Sequence, residues 1–413
     1  MGKILAKTVF LIFGTILCLV ETGQTQTLLF TGLQLAVLDT AVLEKKVAIQ
    51  PYLTELREYA DLYMKKGPWS VTFNTGKSIS GDPHDYYSEA PYWWPDPDDP
   101  DAPYIRKDGL RYPGRFTEHK ESLAEMTIAV SVLSLAGHYL EEPSYSLRAA
   151  EFLRIWFIDE QTKMNPNLNY AQAIPNKSPG RCFGIIDTHN WTKWFDALEL
   201  LSKSGQWLKN DQDKLRRWFA DYLEWMLESE NGREEKMRRN NHATWWTAQT
   251  AAVAGYTGRS DLIPMLENHA RHFLVGTQID ADGRCPEEEA RTRSYDYALF
   301  NLEAFGFLSR IFERYDIDLW EWTNKRGGSV KKALDYMIPY MQEPEKWTGQ
   351  QITNMNIREP AILVFAGMRY PEYGYLTLYQ TFMTRRKPGS ADFRYDPFRL
   401  WLNLLMTTKR YRV

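Results

Sequence analysis

The chain has 413 residues, enough for one large core or two ordinary domains, and its 44% hydrophobic and 25% charged residues exclude a disordered chain and a polytopic membrane protein. A formal charge of -3 with no run of Lys and Arg leaves no electrostatic footprint for a nucleic-acid backbone, so no nucleic-acid partner is expected. The 15 Trp and 24 Tyr point instead to amphipathic rings that stack on sugar faces.

In chain order, MGKILAKTVFLIFGTILCLVETGQTQ sets Lys3 and Lys7 ahead of an apolar run from Thr8 to Val20, followed by small and polar residues. This is the pattern of a secretory signal peptide, taken as residues 1–24, and it predicts a secreted or periplasmic mature protein. No second apolar stretch is long enough for a stable membrane span. Past the leader, Cys182 and Cys285 are the cysteines left, which excludes a disulfide-rich scaffold and leaves one bridge or two free thiols open.

From Leu28 to Lys66 apolar residues recur at helical spacing. Residues 67–114 break the pattern, and the centre of that segment, SEAPYWWPDPDDPDAPY, carries too many prolines to be helical. Its aromatics argue for a lid or binding loop over disorder. Helical spacing returns at Thr117–Leu140, Ser144–Trp156, Thr188–Ser204, Asp211–Ser229, Asn240–Tyr256, Asp261–Leu274, Glu287–Tyr315, Ser329–Met341, Pro360–Met368 and Tyr373–Arg385, with no run of alternating strands. The fold class is therefore all-α, with antiparallel helical hairpins stacked as a bundle, a solenoid or an α/α toroid. No fixed-period repeat and no Gly-, Ser- or Pro-rich boundary divides the helical part. Residues 25–413 read as a single domain with 67–114 as a long aromatic loop on its rim.

Three stretches carry candidate chemistry. In RNNHATWW, Asn240 or Asn241 suits a helix N-cap, and His242, Trp245, Trp246 and Gln249 share one helix face. In PEEEARTRSYDYALFNLEA, three glutamates suit a helix N-terminus, with Glu287 or Glu288 within reach of Arg291 and Tyr297 more than a turn further on. RCFGIIDTHNWTKW repeats the polar and aromatic mixture with His189, Asn190, Trp191 and Trp194, where Asp187 or Thr188 could cap a helix. Each has a plainer reading as caps, a surface ion pair and core aromatics. There is no phosphate-binding glycine loop, no nucleophile elbow and no metal-ligand spacing, and the acidic run PDPDDPDAP is a poor calcium loop.

NNHATWW followed by EEARTRSYDYALFNLEA, with SEAPYWWPDP upstream, resembles the alginate-lyase superfamily of secreted α/α-toroid polysaccharide lyases, closest to polysaccharide lyase family thirty-eight and related in its site to family five. The resemblance implies an α/α toroid, or incomplete barrel, acting on an acidic polysaccharide without a cofactor or metal. Matched residue by residue, it implies catalytic roles for His242, Arg291 and Tyr297, and an amide at Asn241 or Asn190. The spacing from Arg to Tyr differs from family five by about one residue, which keeps Tyr295 open.

The residue types fit such chemistry on their own terms. Cleaving a 4-linked uronan by β-elimination means removing the proton α to a carboxylate, so Asn, His and Arg donors must neutralise that carboxylate. On mannuronate or glucuronate a single Tyr can take the C5 proton and return it to the C4 oxygen; on guluronate His242 would be base and Tyr297 acid. A Tyr base, with an ordinary pKa of about 10, is expected to be held lower by Arg291 and His242. Tyr92, Trp93, Trp94, Trp191 and Trp245 are candidate stacking rings, His189 a further contact, and Arg106, Arg111 or Arg115 candidates for neighbouring carboxylates. Mannuronate-rich alginate is the leading substrate and glucuronan the alternative. Outside that class stand a glycoside hydrolase recruiting Glu89, Asp187 and Glu288, and a non-catalytic glycan-binding protein.

Overall fold

The computed structural model describes residues 27–76, 78–99, 101–355, 360–385 and 397–407. The expected leader, residues 1–24, lies outside them. Among the described residues no helix is long and apolar enough to cross a membrane.

The expected hairpins form. Glu118–Tyr139 packs antiparallel on Pro143–Phe157, and Gln50–Met64 and Phe195–Lys203 also lie against the former. Asn241–Thr257 is the central element, packed on Lys209–Glu228, Cys182–Lys193 and Ser294–Glu313. Nearly every side chain along it is buried, so it shows no polar stripe, as expected of a helix enclosed by neighbours. It ends where Gly258, at φ 78°, turns left-handed as few other residues can. Ser294–Glu313 packs on Ala361–Arg369, which packs on Tyr375–Arg385. Pro397–Thr407 then contacts Gly32–Leu43 and Gln50–Met64, with Phe30 against Trp401 at 4.7 Å, so the last described helix closes on the first. The all-α toroid is what this order of contacts produces.

Three local expectations change. The run read as helix from Thr188 is a 3-10 helix over Cys182–Lys193 before Phe195–Lys203 begins. Asp187 caps nothing: its carboxylate accepts from Lys120 Nζ at 2.5 Å, Ser88 at 2.7 Å and Tyr86 at 3.2 Å. The run Glu287–Tyr315 splits into Pro286–Glu289 and Ser294–Glu313. The loop on the rim carries two short pairings: Tyr87–Glu89 runs parallel to Tyr170–Ala173, and Trp93–Trp94 antiparallel to Ile105–Arg106. Cys182 and Cys285 are both buried free thiols, so the bridge left open by the sequence is not made.

Candidate active site

Asn240 is the N-cap of the central helix, its side-chain oxygen accepting the His242 amide at 3.3 Å. The first turn then sends its two polar side chains to different partners. Asn241 faces inward: its Nδ2 donates to Oε2 and Oε1 of Glu288 at 2.9 and 3.0 Å, and its backbone amide also donates to Oε1. Glu288 is 1% exposed, and burial pushes its carboxyl up to about 7 against the pull of the Asn241 donors.

His242, 13% exposed in its side chain, sets Nδ1 2.6 Å from Oε1 of Glu235, which is 1% exposed. With Glu235 ionised, Nδ1 carries the proton and Nε2 is the nitrogen left for a ligand, with no protein partner among the described residues. Glu235 sits on Glu230–Lys236, a short helix capped by Ser229.

Arg291 lies in the break between the two helices. That break is held open because Ser294 donates its amide and hydroxyl to the Gln350 carbonyl, at 2.9 and 2.7 Å, while Ile352 donates its amide to Thr292 O at 3.0 Å. Released from helical geometry, Arg291 donates to both Asp108 oxygens, at 2.8 and 3.2 Å, and lays its guanidinium carbon 3.9 Å from the centre of the Tyr297 ring. Burial works against both charges, yet each holds the other: Arg291 stays above its usual range and Asp108 well below its own. The Tyr297 hydroxyl is 2.7 Å from that of Tyr92 on the rim loop. Burial and the Tyr92 neighbour push the Tyr297 phenol well above 10, outweighing the downward pull of Arg291. The expectation that Arg291 and His242 hold it low is therefore reversed in the free protein.

Beside the central helix, Asn190 is half-buried with no hydrogen-bond partner among the described residues. It is the uncommitted amide, and Asn241 is not. His189 places Nδ1 2.7 Å from the Ile186 carbonyl and its ring 5.0 Å from Trp245.

An alginate lyase family model matches residues 71–347. An alginate lyase from Bacteroides ovatus is 35% identical, with 88% of this chain and 96% of that one covered and a TM-score of 0.82. The chain belongs to the alginate lyase family. It is therefore a polysaccharide lyase. The apo form of a histidine-to-alanine variant of alginate lyase A1-III, an enzyme of Sphingomonas species A1, shares the fold at 11% identity, with 85% and 91% of the two chains covered and a TM-score of 0.51. No curated protein matches.

Several expected contacts of the lyase are out of a sugar's reach. Trp191 is buried against Trp194, Trp218, Phe219 and Tyr222. Trp245 is buried too, and braces His189 and Phe300. Tyr295 is fully buried against Trp347, which removes it as a rival to Tyr297. Tyr92, Trp93 and Trp94 are half-buried on the rim hairpin, and there Trp94 donates to Leu110 O at 3.0 Å and lies 5.3 Å from the Tyr112 ring. Arg115 donates to Tyr112 O at 2.5 Å and has no ion pair among the described residues. Asp108 and Glu235 are site residues the sequence did not disclose; a carboxylate seven residues before His242 was the available signal for the second.

Proposed function

We propose that this lyase cleaves a 4-linked uronan, mannuronate-rich alginate first, by syn β-elimination outside the cytoplasm. The observation that supports it most is the Tyr297 hydroxyl, with Arg291 on its ring and Tyr92 at its oxygen, on a helix packed against the one that carries His242. Asn190 Nδ2 donates to the uronate carboxylate, and so does His242 Nε2 once the imidazole is doubly protonated, with Glu235 as its counter-charge; this makes the C5 proton acidic enough to remove. Tyr297 as phenolate takes that proton. The electron pair forms the C4–C5 double bond, the C4–O bond breaks, and the same phenol returns the proton to the leaving oxygen. Arg291, its charge matched by Asp108, acts through the phenol ring, where a cation favours the phenolate. Because the resting phenol is protonated, activity rises toward alkaline pH.

A hydrolase needs two uncommitted carboxyl groups flanking the bond. The sequence candidates are engaged: Asp187 by Lys120 and Ser88, Glu288 by Asn241, and Glu89 by the Tyr87 hydroxyl and the Phe116 amide.

The test is ultraviolet absorbance of the 4,5-unsaturated end on polymannuronate, polyguluronate and glucuronan. Absorbance should rise on polymannuronate, faster at about pH 9 than at about pH 7, unaffected by chelator, and fall roughly a hundred- to ten-thousand-fold in Tyr297→Phe. New reducing ends without absorbance, or a fully active Tyr297→Phe, would overturn the reading.

A further inference from the structure

We infer that Arg181, with Lys177 and the Trp93 ring, forms a subsite for the carboxylate of a uronate flanking the one that reacts. The inference rests on the uronan reading for its ligand and on separate residues for its evidence.

Arg181 is a half-buried cation that makes no ion pair among the described residues, with Glu235 acting on it only through space. Its Nε donates to the Gln172 carbonyl at 3.0 Å and its Nη2 to the Gln172 side-chain oxygen at 3.2 Å, both neutral acceptors. The acid that acts on it, Glu235, is committed to His242. A guanidinium that served packing alone would be expected to meet a carboxylate when this far from water. Burial lowers its pKa to about 10, with Arg106 and Arg238 adding to the effect and Cys182 and Glu235 opposing it.

Its holder is unusual in the same direction. Gln172 has φ 48°, a left-handed conformation that costs free energy in a non-glycine residue. Its amide donates to the Ser88 hydroxyl at 2.9 Å, and that hydroxyl donates to Asp187 at 2.7 Å. Both oxygens of a strained residue are thus aimed at one cation from a braced strand.

The surroundings are those of a sugar site. The Arg181 guanidinium lies 5.9 Å from the Trp93 ring centre, and Lys177 Nζ lies 4.4 Å from it. Lys177 is exposed and makes no ion pair among the described residues. On the other side Arg181 is 4.9 Å from the Phe183 ring, whose centre is 4.8 Å from that of His242. The Phe183 ring therefore links the cation to the candidate catalytic imidazole. Trp93 supplies an apolar face, and the two cations bind the carboxylate that distinguishes a uronan from a neutral polymer.

Arg181→Gln and the exposed Lys177→Gln test this on two readouts. The first is steady-state elimination on long and short oligomannuronates. The second is calorimetric binding of a long oligomannuronate and of its carboxyl-reduced, neutral counterpart in a Tyr297→Phe background, which needs no turnover. The expected result is a roughly tenfold or greater rise in KM for Arg181→Gln on long oligomers, with a smaller rise on the shortest one cleaved. The affinity gap between charged and neutral oligomers should narrow in both variants. Unchanged KM and affinity in both variants, with melting temperatures kept, overturns the subsite and leaves the elimination reading standing. Binding that depends on Arg181 without any absorbance rise does the reverse. No binding of any uronan overturns both.

Discussion

Glu235 should set the competence of His242, and two substitutions separate the reasons. The contact is short, 2.6 Å, and both side chains are almost fully buried, so it is a charge-assisted bond poorly screened by water. Such bonds contribute about 1.5–3 kcal/mol net, which predicts a fall in kcat/KM of roughly ten- to 150-fold for Glu235→Ala. Glu235→Gln keeps an oxygen to accept from Nδ1–H, so the tautomer survives while the counter-charge of an imidazolium is lost. Its loss should fall on kcat, because neutralising the substrate carboxylate matters most as charge moves onto it. The stability of Glu235→Gln should fall as well, since the second carboxylate oxygen is buried without a partner and an amide nitrogen in its place would have no acceptor. The assay is initial-rate ultraviolet absorbance across pH, beside nitrogen-resolved NMR of the His242 ring and a melting curve. Both variants within twofold of the parent, with the ring tautomer unchanged in Glu235→Ala, would refute the account.

Two further expectations come from the groups behind the site. The Glu288 carboxyl sits at about 7 against 4.5 for the free group, and a raised carboxyl stabilises the fold fully below the lower value and ceases to as pH rises through the higher. Between those limits the protein should lose roughly 2–4 kcal/mol of unfolding free energy at this group, with Asp196, raised to about 6, adding a slope of the same sign. Glu288→Gln should flatten the first contribution in chemical denaturation at several pH values, because the amide does not titrate; an unaltered slope would refute it. Asp108→Ala should leave Arg291 buried without its counter-charge, lowering the melting temperature by a few degrees and kcat/KM by roughly tenfold or more. If neither moves, the Tyr297 ring alone fixes the guanidinium.

How much of this was legible follows the distance between partners along the chain. An N-cap at Asn240 or Asn241 could be read because its cause lies within a turn, whereas Trp191 and Trp245, expected at the sugar, are buried by distant helices. The 3-10 course of Cys182–Lys193 could not: a Cβ on Gly184 would come within 2.3 Å of Ala171 Cβ, so strand contact dictates the local geometry. Nor could the helix break at Arg291, since Arg, Thr and Ser do not forbid a helix there and the pull comes from Gln350 and Ile352.

The site divides in the same way. The identities of His242, Arg291 and Tyr297 came from short motifs, but their electrical states did not. Arg291 owes its matched charge to Asp108, 183 positions earlier, and Tyr297 owes its raised phenol to burial and to Tyr92, 205 positions earlier. Asn241 and Asn190 are equivalent amides on paper, and what separates them is Glu288, 47 positions after the first. A motif fixes which functional groups are present within a few ångströms of one another. Which of them can still donate or accept depends on partners recruited by the closed ring of helices, so a reading from motifs errs first in protonation state and in spare hydrogen-bonding capacity. Tyr297, whose phenol was expected to be held low, is where it erred, and the choice between Asn241 and Asn190 is where it stayed open.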